Sequence, residues 1–331
     1  MPVTGSSLRP QAPDLGTTDL VGALVRRCNF PPPGTHLDCA VSGGADSLAL
    51  LVLASAAACE VVAWHVDHGI RPESGAAEAA LVEAAADRFG AGFAGVRAEV
   101  APGPNLEARA RTARRAHLPP GHATGHTADD QAETVLINML RGAGLDGLTG
   151  MRAGTTHPLL ELRRAETRQL VEELGLTPVM DPTNLDPVYL RNRVRNELIP
   201  LCSELARRDV VPILARQARL LAEDADELDQ LVSGLPGAVA EMTSGIPVAP
   251  LLSSRPALAR RALRRALRAG EEAHPPSLAA VERVMAVVRG EAVACDIEGG
   301  RHVRRSRGRL YVEAVEPAGR APATERPRPA N

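Results

Sequence analysis

The sequence predicts an α/β fold in which a parallel sheet carries helices on both faces, followed by a smaller, mainly helical C-terminal domain. Two observations support this prediction. Over the first 180 residues, short β-type runs alternate with longer helical ones, and from about residue 205 helices dominate. Alternating strands and helices are typical of parallel sheets, in which ligands bind beyond the carboxyl ends of the strands.

The elements follow one another in the order that this fold requires. Runs rich in apolar and β-branched residues predict strands at 37–41, 61–66, 93–100 and 122–125. Segments with helical periodicity predict helices at 46–58, 74–89, 105–118, 128–141 and 165–174. In the second part, helices are predicted at 207–233 and 255–269, and strand-like pieces at 293–297 and 309–315.

Four regions are expected along the chain. Residues 1–18 and 317–331 are rich in Pro, Gly, Thr and Ala without periodicity, which predicts disordered ends. Between them we expect the α/β domain over 19–206 and the mainly helical domain over 207–316. The stretch 233–250 is rich in Gly, Pro and Ser, and it is a candidate hinge.

The composition limits the class of protein. The 331 residues carry 38 basic side chains, all of them arginine because the sequence contains no lysine, and 40 acidic ones. The five cysteines lie far apart without a C-x-x-C pair, which argues against a zinc ribbon, an iron–sulfur centre or a disulfide framework. This cysteine pattern predicts a protein of the reducing cytoplasm. No membrane contact is expected, since no apolar run reaches the roughly 18 residues that span a bilayer.

A candidate phosphate loop follows the first strand, with the sequence Ser42-Gly43-Gly44-Ala45-Asp46-Ser47. Adjacent glycines let the backbone turn tightly, and the free N–H groups at a helix start favour an anion. The loop lacks the G-K-[ST] ending of a Walker A loop and is not G-x-G-x-x-G. A Gly-Gly turn that merely begins a helix is the alternative interpretation.

The second strand ends in His65-Val66-Asp67-His68, at the same edge of the predicted sheet. A nucleotide that lies across both loops would meet Asp67 and His68. A surface turn is the alternative. A zinc site is not expected, because neighbouring side chains of a strand point to opposite faces.

An acidic segment opens the helix predicted at 128–141. Thr127 and Asp130 have the spacing of a capping box, and Glu133 lies three and four residues beyond Asp130 and Asp129. The three carboxylates are therefore expected on one side of the first turn, where they can bind magnesium or a substrate ammonium. Helix capping alone does not require three acids.

Arginines gather in three places. Four lie in the helix predicted at 105–118, where Arg111 and Arg114 share a face suited to phosphates. Further runs lie at 255–268 and 301–309, where we expect RNA contacts. A solvated basic surface is the alternative in each place.

Together, these features resemble the tRNA(Ile)-lysidine synthetase family of the PP-loop ATP pyrophosphatases. The resemblance covers about 42–200, through SGGADS (42–47), HVDHGIR (65–71), GHTADDQAET (125–134), RGAGLDGLTGM (141–151), HPLLELRRAET (157–167) and DPTNLDPVYLRNRVRNELIP (181–200). It implies a PP-loop domain of the Rossmann-like, adenine nucleotide alpha hydrolase type. Such enzymes adenylate C2 of the wobble cytidine, C34, in a CAU-anticodon tRNA(Ile). The ε-amine of free L-lysine then displaces AMP and forms lysidine, which pairs with A.

The resemblance also implies roles for individual residues. ATP, with its phosphates and Mg²⁺, would be bound by Ser42, Gly43, Gly44, Ala45, Asp46, Ser47, Asp67 and His68. Catalytic candidates are Asp46, Asp130, Glu133 and Arg111, of which Asp46 and Asp130 are the candidate metal ligands. The tRNA or the activated intermediate would meet Arg114, Arg191, Asn192 and Arg195. The implied partners are tRNA(Ile) and free L-lysine, and a homodimer is left open.

Two departures from the family pattern concern the helix at 105–118. Arg115 stands where the family usually has an aromatic residue, and the stretch 117–125 is shortened. Another PP-loop tRNA-modifying enzyme or an amide ligase is the nearest alternative, although the paired cysteines common in the tRNA thiolases are absent. A non-catalytic nucleotide-binding module is the other alternative, and Asp46 with the acidic helix argues against it.

Overall fold

The computed structural model describes residues 19–67, 72–98, 109, 112–113, 116–179, 186, 188–235, 245–268 and 276–314. The ends predicted to be disordered lie outside these residues, as do residues 236–244 of the candidate hinge. The chain forms two compact units, residues 1–222 and 223–331. The boundary expected at 206/207 stays a prediction.

A four-stranded parallel sheet forms the centre of the first unit. Its strands are β1 (His36–Ala40), β2 (Glu60–Asp67), β3 (Gly92–Arg97) and β4 (Ala123–Thr124), in the order β3-β2-β1-β4. Leu37 and Cys39 of β1 are buried and alternate with more exposed neighbours, as the period of a strand requires. The predicted parallel sheet is confirmed.

Along the chain, helices precede, separate and follow these strands. They are α1 (Asp19–Val25), α2 (Ala45–Ala56), α3 (Pro72–Arg88), α4 (Ala128–Leu140), α5 (Leu145–Leu148), α6 (Arg164–Glu173), α7 (Leu190–Arg193), α8 (Ile199–Ala206) and α9 (Val211–Ser233). A π-helical turn, Val194–Leu198, joins α7 to α8. Residues 47–54 of α2 are all buried, because this stretch has hardly any polar side chain and so no solvent face. Of the helix predicted at 105–118, the described residues 109, 112–113 and 116–117 are helical.

The second unit combines helices with an antiparallel sheet. The helices are α10 (Val248–Ser253), α11 (Pro256–Ala266) and α12 (Leu278–Arg289). The strands are β5 (Ile246–Pro247), β6 (Ala294–Ile297), β7 (Arg301–Ser306) and β8 (Arg309–Ala314), in the order β5-β8-β7-β6. Among the described helices of both units, none is long and apolar enough to cross a bilayer.

Strand β7 was not among the predicted strands. Its sequence, RHVRRS, looks like a basic surface segment, and only Val303 is buried. The structure pairs β7 with both β6 and β8, and Val303 packs in the core of this unit with Leu310. The overlooked signal is the connection Arg307-Gly308, whose φ angles of 49° and 74° are those of a two-residue hairpin turn.

The strand order places two loops beside each other. The chain moves from β1 outward to β2 and β3, whereas β4 pairs with the opposite side of β1. Reversal of this kind creates a crevice at the carboxyl ends of β1 and β4, between which the strand order reverses. The loop after β1 is the candidate phosphate loop, and the residues after β4 lead into the acidic helix α4. The fold therefore brings these two sequence features together.

Gly125, directly after β4, lies against the start of α2. A Cβ atom at this position would lie 2.5 Å from the carbonyl oxygen of Asp46 and 3.0 Å from the amide nitrogen of Ser47. Both neighbours are backbone atoms, which cannot rotate away. Glycine is therefore required for this close approach of the two loops.

We expect Gly125→Ala to lower the free energy of unfolding by about 1–3 kcal/mol, because the added methyl group overpacks a backbone contact. The matched control is Gly22→Ala in α1, where the nearest atom to a new Cβ is a guanidinium nitrogen of Arg26 at 3.5 Å. Alanine in a helix is favoured over glycine by about 1 kcal/mol, so the control should be neutral or stabilising. Urea denaturation measures both, and equal stability of Gly125→Ala and the wild type would contradict the contact.

Candidate active site

The loop 42–47 is held by its own serines. The Ser47 hydroxyl donates to the carbonyl of Gly44 at 2.9 Å and accepts from the amide of Ser42 at 3.2 Å. Gly43 has a φ of +85°, which glycine adopts without strain. Gly44 is the N-cap of α2, and no side chain caps the first-turn amides there. Such amides, together with the helix dipole, suit an anion such as a phosphate.

Asp46, in the first turn of α2, is held by α6. The Thr167 hydroxyl donates to Oδ1 of Asp46, and Nε of Arg164 lies 3.5 Å from Oδ2. Burial raises the pKa of Asp46, and the Thr167 hydrogen bond and the Arg164 charge offset this only in part. Two side chains of one helix therefore fix the carboxylate beside the phosphate loop.

Asp130 uses its two carboxylate oxygens for different purposes. Oδ2 accepts from the amide of Thr127 at 3.0 Å and from its hydroxyl at 3.1 Å, so the predicted capping box is confirmed. Oδ1 faces arginines of α6 and α7. The same residue therefore begins the helix and takes part in ion pairing.

Three arginines surround Asp130 and Glu133. Arg164 donates from Nη2 to Oδ1 of Asp130 at 2.8 Å and from Nη1 to Oε1 of Glu133 at 3.0 Å. Arg191 donates from Nε to Oε2 of Glu133 at 2.8 Å and from Nη2 to Oδ1 of Asp130 at 3.2 Å. Arg195 forks onto both oxygens of Glu133, at 2.7 and 3.0 Å. Bidentate pairs of this kind are the strong form of ion pair.

We call these six side chains the arginine–carboxylate cluster: Asp46, Asp130, Glu133, Arg164, Arg191 and Arg195. Its three carboxylates and three guanidiniums balance in formal charge. Burial would raise the pKa of Asp130, but the charges of Arg164 and Arg191 with the Thr127 amide lower it overall. Burial would lower the pKa of Arg164, but the surrounding carboxylates raise it overall. Both groups therefore stay charged at neutral pH.

Asp129 does not join the cluster, although the sequence predicts it on the same side of the turn. Its oxygens accept from Nε and Nη2 of Arg163 at 3.0 and 3.1 Å and from the amide of Arg164 at 2.9 Å. Arg163 also pairs with Asp209, the residue that caps the start of α9. A second, separate ion-pair group thus lies next to the cluster.

The structure brings together five of the predicted site residues: Asp46, Asp130, Glu133, Arg191 and Arg195. Asn192 is buried and donates to the carbonyl of Asp186 at 2.8 Å, which shapes the turn before α7. Asp67 lies at the end of β2. His68, Arg111 and Arg114 lie outside the described residues, so their roles stay predictions.

Sequence reasoning missed Arg164 and Thr167 as site residues. Their signal lies in the segment HPLLELRRAET, which places two arginines at the start of α6. Cations at a helix N-terminus oppose the helix dipole, so they need nearby carboxylates to be stable there. Two arginines at the start of a helix therefore indicate that acidic residues from elsewhere in the chain pair with them. Here these acidic residues belong to α4.

The carboxylates fit magnesium in donor type, since Mg²⁺ prefers oxygen ligands. Asp46 and Asp130 supply such oxygens at one edge of the sheet. Within the described part of the chain, however, no three His, Cys, Asp or Glu side chains are already arranged as a metal site. The two longest ion-pair contacts of the cluster are that of Arg195 with Asp130, at 3.7 Å, and that of Arg164 with Asp46, at 3.5 Å.

Comparison with known proteins finds similarity along both units. A family model described as a PP-loop domain matches residues 25–202, and one described as a TilS substrate binding domain matches residues 246–311. The tRNA(Ile)-lysidine synthase of Nocardia farcinica is 40% identical over 307 residues, covering 88% of this chain and 96% of that protein. The tRNA(Ile)-lysidine synthase of Rhodococcus jostii is 41% identical over 300 residues, covering 85% and 90%.

We expect Thr167→Val to raise the pKa of Asp46 further, because the hydroxyl that stabilises the charged carboxylate is lost. Thr167→Ser keeps the hydroxyl and should leave this pKa close to that of the wild type. The measurement is an NMR titration that follows the carboxyl carbon of Asp46. The same pKa in both variants would show that Thr167 does not hold this carboxylate.

Proposed function

This chain belongs to the tRNA(Ile)-lysidine synthase family, and we propose that it ligates free L-lysine to C2 of C34 in tRNA(Ile) with a CAU anticodon. The activity is that of an ATP-using ligase that modifies tRNA. The product, lysidine, changes decoding from AUG to AUA. Magnesium, free lysine, a cytoplasmic location and a homodimer belong to the proposal.

One observation carries the assignment of the site. Arg164 contacts Asp46 of the phosphate loop and also Asp130 and Glu133 of α4. The candidate groups for ATP and for an amine therefore belong to one cluster at the carboxyl edge of the sheet. A ligase that activates a base and then transfers an amine needs these two sites within reach of each other.

The first half of the reaction activates the base. The oxygen at C2 of the cytidine attacks the α-phosphorus of ATP, and pyrophosphate leaves. The uncapped amides at the start of α2 orient the phosphates, and nearby guanidiniums stabilise the developing negative charge. Asp46 and Asp130 are the residues that would hold magnesium, which offsets phosphate charge when bound.

The second half of the reaction transfers lysine. The ε-amine attacks C2, the C2–oxygen bond breaks, and AMP leaves. Asp130 and Glu133 are suited to orient the lysine ammonium, which must lose a proton before it attacks. Both residues are buried, so an ammonium bound there would be shielded from water.

The three arginines of the cluster differ in exposure, and this difference indicates the order in which the substrates bind. Arg191 and Arg195 keep 32% and 27% of their side-chain surface exposed, against 13% for Arg164. Phosphates can therefore draw the first two away more readily than the third. Their departure would leave carboxylate oxygens free for the lysine ammonium, so amine binding would follow phosphate binding.

The second unit is proposed to contact the tRNA, but its arginines also hold its own fold. Arg261 forms a bidentate pair with Asp229, and Arg305 and Arg309 donate to the main-chain carbonyls of Val288 and Gly245. The RNA contacts expected for 255–268 and 301–309 remain a prediction. Their support is the match to the substrate binding domain.

Incubation of the protein with a CAU-anticodon tRNA(Ile), ATP, magnesium and lysine should add lysine, with loss of water, to the wobble cytidine. Mass spectrometry of the digested tRNA detects this adduct. The control is a tRNA that is identical except for a GAU anticodon, and it should stay unmodified. An unmodified CAU substrate, next to an active reference enzyme, would contradict the proposed function.

Asp46→Asn should reduce the rate of lysidine formation by at least about 100-fold, because the amide removes a charge from the reacting centre at nearly constant volume. Asp38→Asn in β1 is the matched control, since Asp38 accepts from Trp64 Nε1 at 2.7 Å and an amide oxygen can do the same. Circular dichroism checks that both variants fold. Wild-type turnover by Asp46→Asn would remove Asp46 from the site.

A further inference from the structure

We propose that Arg164 is a positioning residue that fixes the Asp46 carboxylate relative to the Asp130–Glu133 pair throughout the reaction. The inference rests on the function proposed above and assigns to it a residue that is not among the site residues predicted from the sequence. Arg164 does not need to touch the substrates for this role. It acts through the three carboxylates that do.

Arg164 differs from the other two arginines of the cluster in the helices that its ion pairs connect. Among the described residues, the ion pairs of Arg191 and Arg195 join carboxylates of α4 alone. Arg164 contacts carboxylates at the starts of two different helices, α2 and α4. It is therefore the one guanidinium of the cluster whose loss would separate the phosphate side from the amine side.

The shape of the guanidinium suits this task. Each of its three nitrogens lies near a different carboxylate: Nε is 3.5 Å from Asp46, Nη1 is 3.0 Å from Glu133, and Nη2 is 2.8 Å from Asp130. The planar fork holds these directions rigidly. A lysine ammonium carries the same charge on a single nitrogen, so it cannot hold three carboxylates in the same arrangement.

The backbone of Arg164 is fixed as well. Its amide donates to Asp129 at 2.9 Å, and its carbonyl lies 2.9 Å from the hydroxyl of Thr167. Since one hydroxyl hydrogen serves one acceptor at a time, the charged Asp46 is the stronger competitor for it. Arg164 and Thr167, one turn apart on α6, thus hold Asp46 from two directions.

Arg164 is also the arginine least able to leave. Its side chain is the most enclosed of the three guanidiniums, and it has three anionic partners. When phosphates attract Arg191 and Arg195, Arg164 remains and keeps the carboxylates at their spacing. Small displacements at a reacting centre can cost about 100-fold in rate, so this spacing matters for both half-reactions.

The test compares Arg164→Lys with Arg163→Lys. Both changes keep the charge and lie side by side at the start of α6, but Arg163 pairs with Asp129 and Asp209 instead of the cluster. For Arg164→Lys we expect kcat for lysidine formation to fall about 10- to 100-fold and KM for lysine to rise, with KM for tRNA unchanged within about twofold. Arg163→Lys should stay within about threefold of the wild type in all three.

A second readout does not depend on turnover. Calorimetric titration with ATP and magnesium, without tRNA, should show affinity reduced about tenfold or more in Arg164→Lys and unchanged in Arg163→Lys. If the wild type binds ATP but forms no lysidine, the proposed function fails while this comparison still tests Arg164. Thermal unfolding of each variant corrects the rates for the folded fraction. Arg164→Gln, which keeps a planar amide donor, replaces Arg164→Lys if the latter does not fold.

Three results would overturn the proposal. The first is an equal effect of the two substitutions on kcat and on ATP binding. The second is a rise in KM for tRNA as large as that for lysine, which would indicate an RNA contact instead. The third is an Arg164→Lys protein whose rate per folded molecule equals that of the wild type.

Discussion

A charged carboxylate that is fully buried needs positively charged partners. In the first unit, Glu133 is such a carboxylate. Three guanidiniums meet it, one from the start of α6 and two from the segment that begins with α7. Removal of one partner from a buried ion pair typically costs about 3–5 kcal/mol, because the remaining charge is left uncompensated. The positions of α4, α6 and α7 therefore depend on one another through a single side chain.

The sheet determines where this cluster forms. Because β4 pairs with the side of β1 opposite to β2, the loops after β1 and β4 emerge next to each other. Gly125 permits contact between backbone atoms of the two loops, and the start of α6 then reaches both. The candidate phosphate loop and the acidic helix that we propose binds an amine thus lie at one site, which is the arrangement that a two-step ligase requires.

The sequence predicts much of this arrangement, and the limits have physical causes. Asp46, Asp130 and Glu133 follow strand ends, and parallel strands end at a shared edge, so their proximity could be inferred. Which arginines meet them could not, because Arg164 and Arg191 reach α4 over more than 30 and more than 50 residues of chain. Asp129 could not be predicted for the same reason. Helical spacing places it near Asp130, but its carboxylate pairs with Arg163 instead of the cluster. Strand β7 was overlooked because its exposed arginines hide the single buried Val303.

The arginine–carboxylate cluster should act as one coupled unit, and a double-mutant cycle measures this coupling. The free energy of unfolding is measured by urea denaturation for the wild type, Arg164→Gln, Glu133→Gln and the double variant. We expect the double variant to be less destabilised than the sum of the single ones, with a coupling of about 1–3 kcal/mol, because each single change leaves the cluster with one uncompensated charge. Additivity within about 0.5 kcal/mol would show instead that the two groups act independently and that the cluster is not coupled.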